Sequence, residues 1–134
     1  MTAGRPTWPD PDFGYREAVN VESTPVEEID PAGARLLVRA GAHLLDVRED
    51  EEWQAGHAAE AVHVPMGQVS GRTAELPSDR TVICICRVGG RSGAVATALA
   101  AAGYDVRNVA GGMLAWELAG LPVVTGDGGD GRII

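Results

Sequence analysis

The chain has 134 residues, enough for one domain with an ordinary core and with little room for two. Its apolar share of 45% excludes a disordered chain, and its formal net charge of −8 argues against a broad nucleic-acid footprint or docking on an anionic membrane. Aromatic residues are only 4%, so Ala, Val and Leu must fill most of the core, and any local cluster of arginines stands out against the acidic background.

Residues 1–22, polar and rich in Pro and Gly with Trp8, Phe13 and Tyr15 scattered among them, are expected to form an extended arm. The N-terminus lacks the apolar segment of a signal peptide and no apolar run reaches transmembrane length, so the expected location is cytoplasmic. Residues 23–124 form the expected domain. Asp30-Pro31 is a helix start, with Asp as N-cap and Pro in the first turn, and Gly41 stops that helix. The run 43–47, HLLDV, suits a buried strand. An acid-led helix follows, closed by Gly56, and residues 61–64 suit a short strand. A helical stretch precedes Pro77, and residues 77–80 make a turn. TVICIC, residues 81–86, is apolar on both faces, as in the middle of a parallel sheet. Next come a helix with Ser92 as N-cap and Gly103 as stop, the strand VRNV, and a helix ending at Gly120. The tail, residues 125–134, reads as a flexible end. Strand and helix alternate, so the fold class is α/β with a mostly parallel sheet.

The chemistry concentrates in Cys86-Arg87-Val88-Gly89-Gly90-Arg91-Ser92, between a strand end and a helix start. Ligands of open α/β sheets bind at the carboxyl ends of strands. Two glycines let a tight loop turn its backbone N–H groups inward, a helix N-terminus adds partial positive charge, and two arginines add full charges. Such a cradle favours a thiolate and attracts a small anion. Cys84 is the other cysteine; two residues along a strand are roughly 6.6 Å apart, beyond the about 4.5 Å between Cβ atoms that a disulfide needs. Cys84 is therefore expected to be a small buried hydrophobe beside a free Cys86. His43, His57 and His63 have no metal-ligand spacing, and neither metal nor cofactor is expected; His57 is read as a turn residue. Asp46 and Arg48 are read as braces of the loop, Trp53 and Trp116 as core or rim anchors, and residues 49–52, EDEE, as a solvated acidic face.

Several pieces in order resemble the rhodanese family over about 24–124: Leu44-Leu45-Asp46-Val47-Arg48 with Glu52-Trp53 and Gly56-His57; Val62-His63-Val64-Pro65; the Cys-x-x-Gly-x-Arg-Ser loop from Cys86 to Ser92; and Gly111-Gly112-Met113, Ala115-Trp116 and Gly120-Leu121-Pro122. One turn departs from the family pattern: Ala58-Ala59-Glu60-Ala61 stands where an Ile-Pro-Gly-Ala-like turn is usual. The resemblance implies a rhodanese-like fold, a five-stranded parallel sheet flanked by helices on both faces. It also implies Cys86 as a sulfur-carrying nucleophile and places Arg87 and Arg91 in the active-site loop. The expected activity is thiosulfate sulfurtransferase: transfer of a sulfane sulfur from a small anionic donor, through a Cys86 persulfide, to a nucleophile such as a protein or low-molecular-weight thiol. Phosphatase and arsenate-reductase loops hold five residues between Cys and Arg; here four separate Cys86 from Arg91, which leaves a smaller cradle. The alternative is a non-catalytic binding or regulatory module, which retention of both Cys86 and Arg91 weighs against.

Overall fold

The computed structural model describes residues 25–134, so the expected arm lies outside the described residues. Five strands form one parallel sheet in the order β1-β5-β4-β2-β3: β1 Glu27–Ile29, β2 His43–Asp46, β3 Val62–His63, β4 Val82–Ile85 and β5 Val106–Val109. The helices are α1 Pro31–Arg39, α2 Asp50–Ala55, α3 Gly90–Ala101 and α4 Gly112–Leu118. Two 3-10 turns, Met66–Gly71 and Thr73–Glu75, occupy the stretch before Pro77. Among the described residues no helix is long and apolar enough to cross a membrane.

β4 is the central strand, which is why all four of its residues are apolar and buried. Alternate side chains feed two cores. Val82 and Cys84, with Cys86 beyond the strand's end, pack with Leu45 against Val95, Ala96 and Leu99 of α3. Ile83 and Ile85 face the other way, onto Ala34 of α1 and Met113 and Trp116 of α4. Each buried Ile or Leu contributes about 1.5–3 kcal/mol on removal from water. Trp116 is fully buried, and its indole N–H donates to the Pro122 carbonyl at 2.9 Å, so its polar edge is satisfied.

Two local expectations change, and one strand had none. β1 is a strand that hydrophobic pattern does not reveal: Glu27 and Glu28 are exposed on an edge, and pairing with β5 alone defines the strand. Helix α3 begins at Gly90 with Gly89 as N-cap, not at Ser92; Gly89 has φ +109°, and Ser92 lies inside the first turn, fully buried. Residues 123–132, which by composition belong mostly to a free end, have backbone partners here: Val124 exchanges hydrogen bonds with His57 at 2.9 and 2.8 Å, and the Arg132 N–H donates to the Ala55 carbonyl at 2.9 Å. Gly56 makes that crossing feasible, since a Cβ there would lie 2.5 Å from the Arg132 nitrogen. The Ala58-Ala59-Glu60-Ala61 departure still makes a turn, closed by the Ala61 N–H on the Ala58 carbonyl at 3.0 Å.

Candidate active site

From β2 the chain moves to β3 on one side, and from β4 to β5 on the other, so the strand order reverses between β2 and β4. A crevice forms at such a reversal, outside the carboxyl ends of the strands. Asp46, Val47 and Arg48 stand at one bank and Cys86 at the other, held together by the Val47 N–H on the Ile85 carbonyl at 3.0 Å.

The loop after β4 turns back over Cys86. Its sulfur lies beneath the loop, with the residue 1% exposed. The Gly89 N–H points at Cys86 Sγ from 3.1 Å, and the Ser92 hydroxyl stands 3.2 Å from Sγ and 3.4 Å from the Gly89 carbonyl. Two donors therefore converge on one sulfur, from the first turn of a helix whose dipole adds to their effect. The loop is clamped from behind by α4: the Met113 N–H donates to the Cys86 carbonyl at 2.8 Å and the Leu114 N–H to the Arg87 carbonyl at 3.0 Å. That contact demands glycine at 112, because a Cβ there would overlap the Cys86 carbonyl and φ is +58°.

Asp46 and Arg48 are both fully buried. Arg48 Nη2 and Nε donate to the Asp46 carboxylate at 2.8 to 3.1 Å, Nη2 also donates to the Gly56 carbonyl at 2.8 Å, and Nη1 donates to the Glu52 carbonyl at 3.3 Å. The pair thus fixes α2 against the end of β2, and every guanidinium nitrogen has an acceptor, as a buried charge requires. Helix α2 in turn reaches the sulfur loop. Glu52 accepts a two-pronged bond from Arg91, Nη1 to Oε1 at 2.7 Å and Nη2 to Oε2 at 2.9 Å, and a third bond from the Glu49 N–H at 3.0 Å. These donors, Arg91 first, hold the Glu52 carboxyl down at about 2 against partial burial. Arg91 is pushed up correspondingly, chiefly by Glu52 and in smaller part by the charge of Cys86.

The sequence singles out Cys86 and the loop residues, and the fold gathers them, but with unequal duties. Gly89 and Ser92 touch the sulfur. Gly90 opens α3, and Val88 is exposed at the loop's crest. The guanidinium bonds of Arg87 and Arg91 go elsewhere: Arg87 Nε donates to the Ile134 backbone oxygen at 2.9 Å, and Arg91 is engaged by Glu52. Cys84 is fully buried on the same face of β4, and burial, then the charge of Cys86, drives its thiol strongly upward. Two residues of the site escape the sequence reading. Glu52 belongs to a run that reads as a solvated face; its signal is the i,i+3 spacing to Glu49 of a capping box. Asn108 reads only as a strand residue, yet its amide nitrogen reaches the Gly89 carbonyl at 3.1 Å. His57 does serve the turn: its ring stacks on Trp53 at 3.6 Å, with Nδ1–H donating to the Trp53 carbonyl at 2.8 Å. His63 stacks on Trp53 at 4.8 Å and donates to the Arg48 carbonyl at 2.6 Å. Among the described residues no three His, Cys, Asp or Glu side chains stand together as a metal site.

Comparison with known proteins agrees with this architecture. The family model for the rhodanese-like domain matches residues 30–119. A sulfurtransferase of Allochromatium vinosum is 37% identical over 106 residues, covering 77% of this chain and 99% of that protein. An HTH-type transcriptional regulator of Mycobacterium tuberculosis is 39% identical over 115 residues, 81% of this chain but 50% of the regulator. Among solved structures, a rhodanese-related protein from Thermoplasma volcanium superposes with a TM-score of 0.69 at 31% identity, over 73% of this chain and 97% of that one.

Proposed function

Because this chain belongs to the rhodanese-like domain family, whose members among its relatives include sulfurtransferases, we propose that it moves a sulfane sulfur through a persulfide on Cys86, with thiosulfate as a competent donor. The observation that carries this reading is the convergence of the Gly89 N–H and the Ser92 hydroxyl on Cys86 Sγ, at 3.1 and 3.2 Å. Hydrogen bonds to sulfur favour its anionic form. The Cys86 thiolate attacks the sulfane sulfur of thiosulfate; the sulfur–sulfur bond of the donor breaks, and sulfite leaves with the electron pair. The product, Cys86–S–S⁻, keeps its charge within reach of the loop donors. A second nucleophile then takes the terminal sulfur: cyanide gives thiocyanate and a thiol gives its own persulfide, and the Cys86 thiolate returns. Arg91, whose charge acts on Cys86, supports both anionic states.

Incubation with thiosulfate and intact-mass measurement tests the reading. One added sulfur, lost on cyanide treatment with release of thiocyanate, is expected for the wild type and absent from Cys86→Ser. No adduct and no thiocyanate would overturn it. A second reading, a regulatory or docking module, draws on the regulator relative; it would stand if the folded protein proved inert in that assay.

A further inference from the structure

Asn108, near the end of β5, uses one side of its carboxamide twice. Its Nδ2 donates to the Gly89 carbonyl at 3.1 Å and to Glu28 Oε2 on β1 at 2.8 Å. Two oxygen acceptors on the same side fix the orientation of the amide, because the flipped form would set oxygen against oxygen. Its Oδ1 is buried without a hydrogen-bond partner, a cost the fold bears to keep the nitrogen where it is. Room for the amide comes from Gly93, whose Cβ would lie 3.3 Å from Nδ2. The Gly89 carbonyl does not need this donor for folding, since it already accepts the Gly93 N–H of α3 at 2.9 Å.

Gly89 sits at φ +109°, with an N–H on Cys86 Sγ and a carbonyl on Asn108. Within the planar trans peptide that follows, the Gly90 N–H is antiparallel to that carbonyl and so faces away from Asn108. Holding the carbonyl therefore aims one N–H and restricts the other, adding a side-chain anchor at a pair of glycines that the Gly93 helix bond alone would hold less closely. We propose that Asn108 is a positioning residue for sulfur transfer: it locks the Gly89–Gly90 peptide so that the loop N–H groups are preset for an anionic sulfur, and Glu28 locks Asn108 in turn. This inference rests on the sulfurtransferase reading for its turnover arm and on loop geometry for its binding arm.

The variants are Asn108→Asp, nearly isosteric, and Asn108→Ala. The carboxylate that Asn108→Asp introduces would, when ionised, present oxygen to the Gly89 carbonyl and to Glu28. Expected is a fall in kcat for thiosulfate turnover of about ten- to hundredfold, the scale on which misplaced catalytic groups lose rate, in proteins that keep their circular dichroism. Asn108→Asp should recover relative to wild type as pH is lowered and the new carboxyl takes up a proton it can donate; Asn108→Ala should not recover. Glu28→Ala should give a smaller loss, absent when added to Asn108→Ala. Independently, inorganic thiosulfate is titrated into Cys86→Ser protein while the Gly89 and Gly90 amide resonances are followed, with and without Asn108→Asp. Weaker binding in the double variant supports positioning even if wild-type turnover is nil, in which case only the sulfurtransferase reading falls. Unchanged kcat in both folded variants, or a loss in Asn108→Asp that does not respond to pH, would overturn the proposal, as would equal thiosulfate affinity.

Discussion

Cys84 and Cys86 lie two residues apart, on the same face and against the same core, and are equally buried at 0% and 1% exposure. Their surroundings nevertheless differ in kind. Cys84 sits inside β4, where the backbone donors are taken up by neighbouring strands and the residue belongs to a hydrophobic core, so burial makes its thiolate unfavourable. Cys86 sits one residue past the strand, where the backbone has left the sheet ladder and turns back over the sulfur; the Gly89 N–H and the Ser92 hydroxyl donate to it. What separates the two sulfurs is their donors rather than their exposure.

Mutations can break that contrast in graded steps. Cys86→Ser has the largest expected effect, complete loss of the sulfur adduct and of turnover in a folded protein. Ser92→Ala removes one of the two donors; a hydrogen bond to a charged group is worth about 1.5–3 kcal/mol, so turnover should fall about ten- to hundredfold, while circular dichroism stays unchanged. Arg91→Lys keeps the charge but cannot hold both Glu52 oxygens in one plane, and a loss of about tenfold is expected; kinetics matching wild type would mean that only charge matters there. Cys84→Ser should retain most of its turnover and lose stability instead, about 1–3 kcal/mol for a buried hydroxyl without an assured partner, read from urea midpoints. Equal loss of activity in folded Cys84→Ser and Cys86→Ser proteins would erase the distinction between the two sites.

The smallest effect concerns acid stability. Glu52 titrates at about 2 in the folded chain against an ordinary 4.5, so on acidification the unfolded chain takes up that proton first. The stability from its bonds to Arg91 is complete above about pH 4.5 and is lost as pH falls through about 2. Urea midpoints of Glu52→Gln should therefore decline less steeply than wild type across that window. Parallel curves would mean that the pair is not held in solution.

Much of this is legible in the amino-acid order, because it rests on local rules. The apolar run 82–85 reports a central strand, Asp30 before Pro31 reports a helix start, and a cysteine at a strand end followed by two glycines and an arginine reports a tight loop between a strand and a helix. Other features have no local signature. Glu27–Ile29 becomes a strand only through β5, and Asn108 lies 19 residues from the Gly89 carbonyl and 80 from the Glu28 carboxylate that it joins. Ser92 has the side chain of an N-cap, but the left-handed Gly89 starts the helix earlier and turns that hydroxyl to the sulfur. Arg91 and Glu52 are 39 residues apart, so folding rather than composition decided whether that guanidinium met a donor anion or a carboxylate of its own chain. Pattern fixes what a segment prefers over a few residues; which distant groups satisfy a given donor is settled only when the sheet order brings the ends of β2, β4 and β5 side by side.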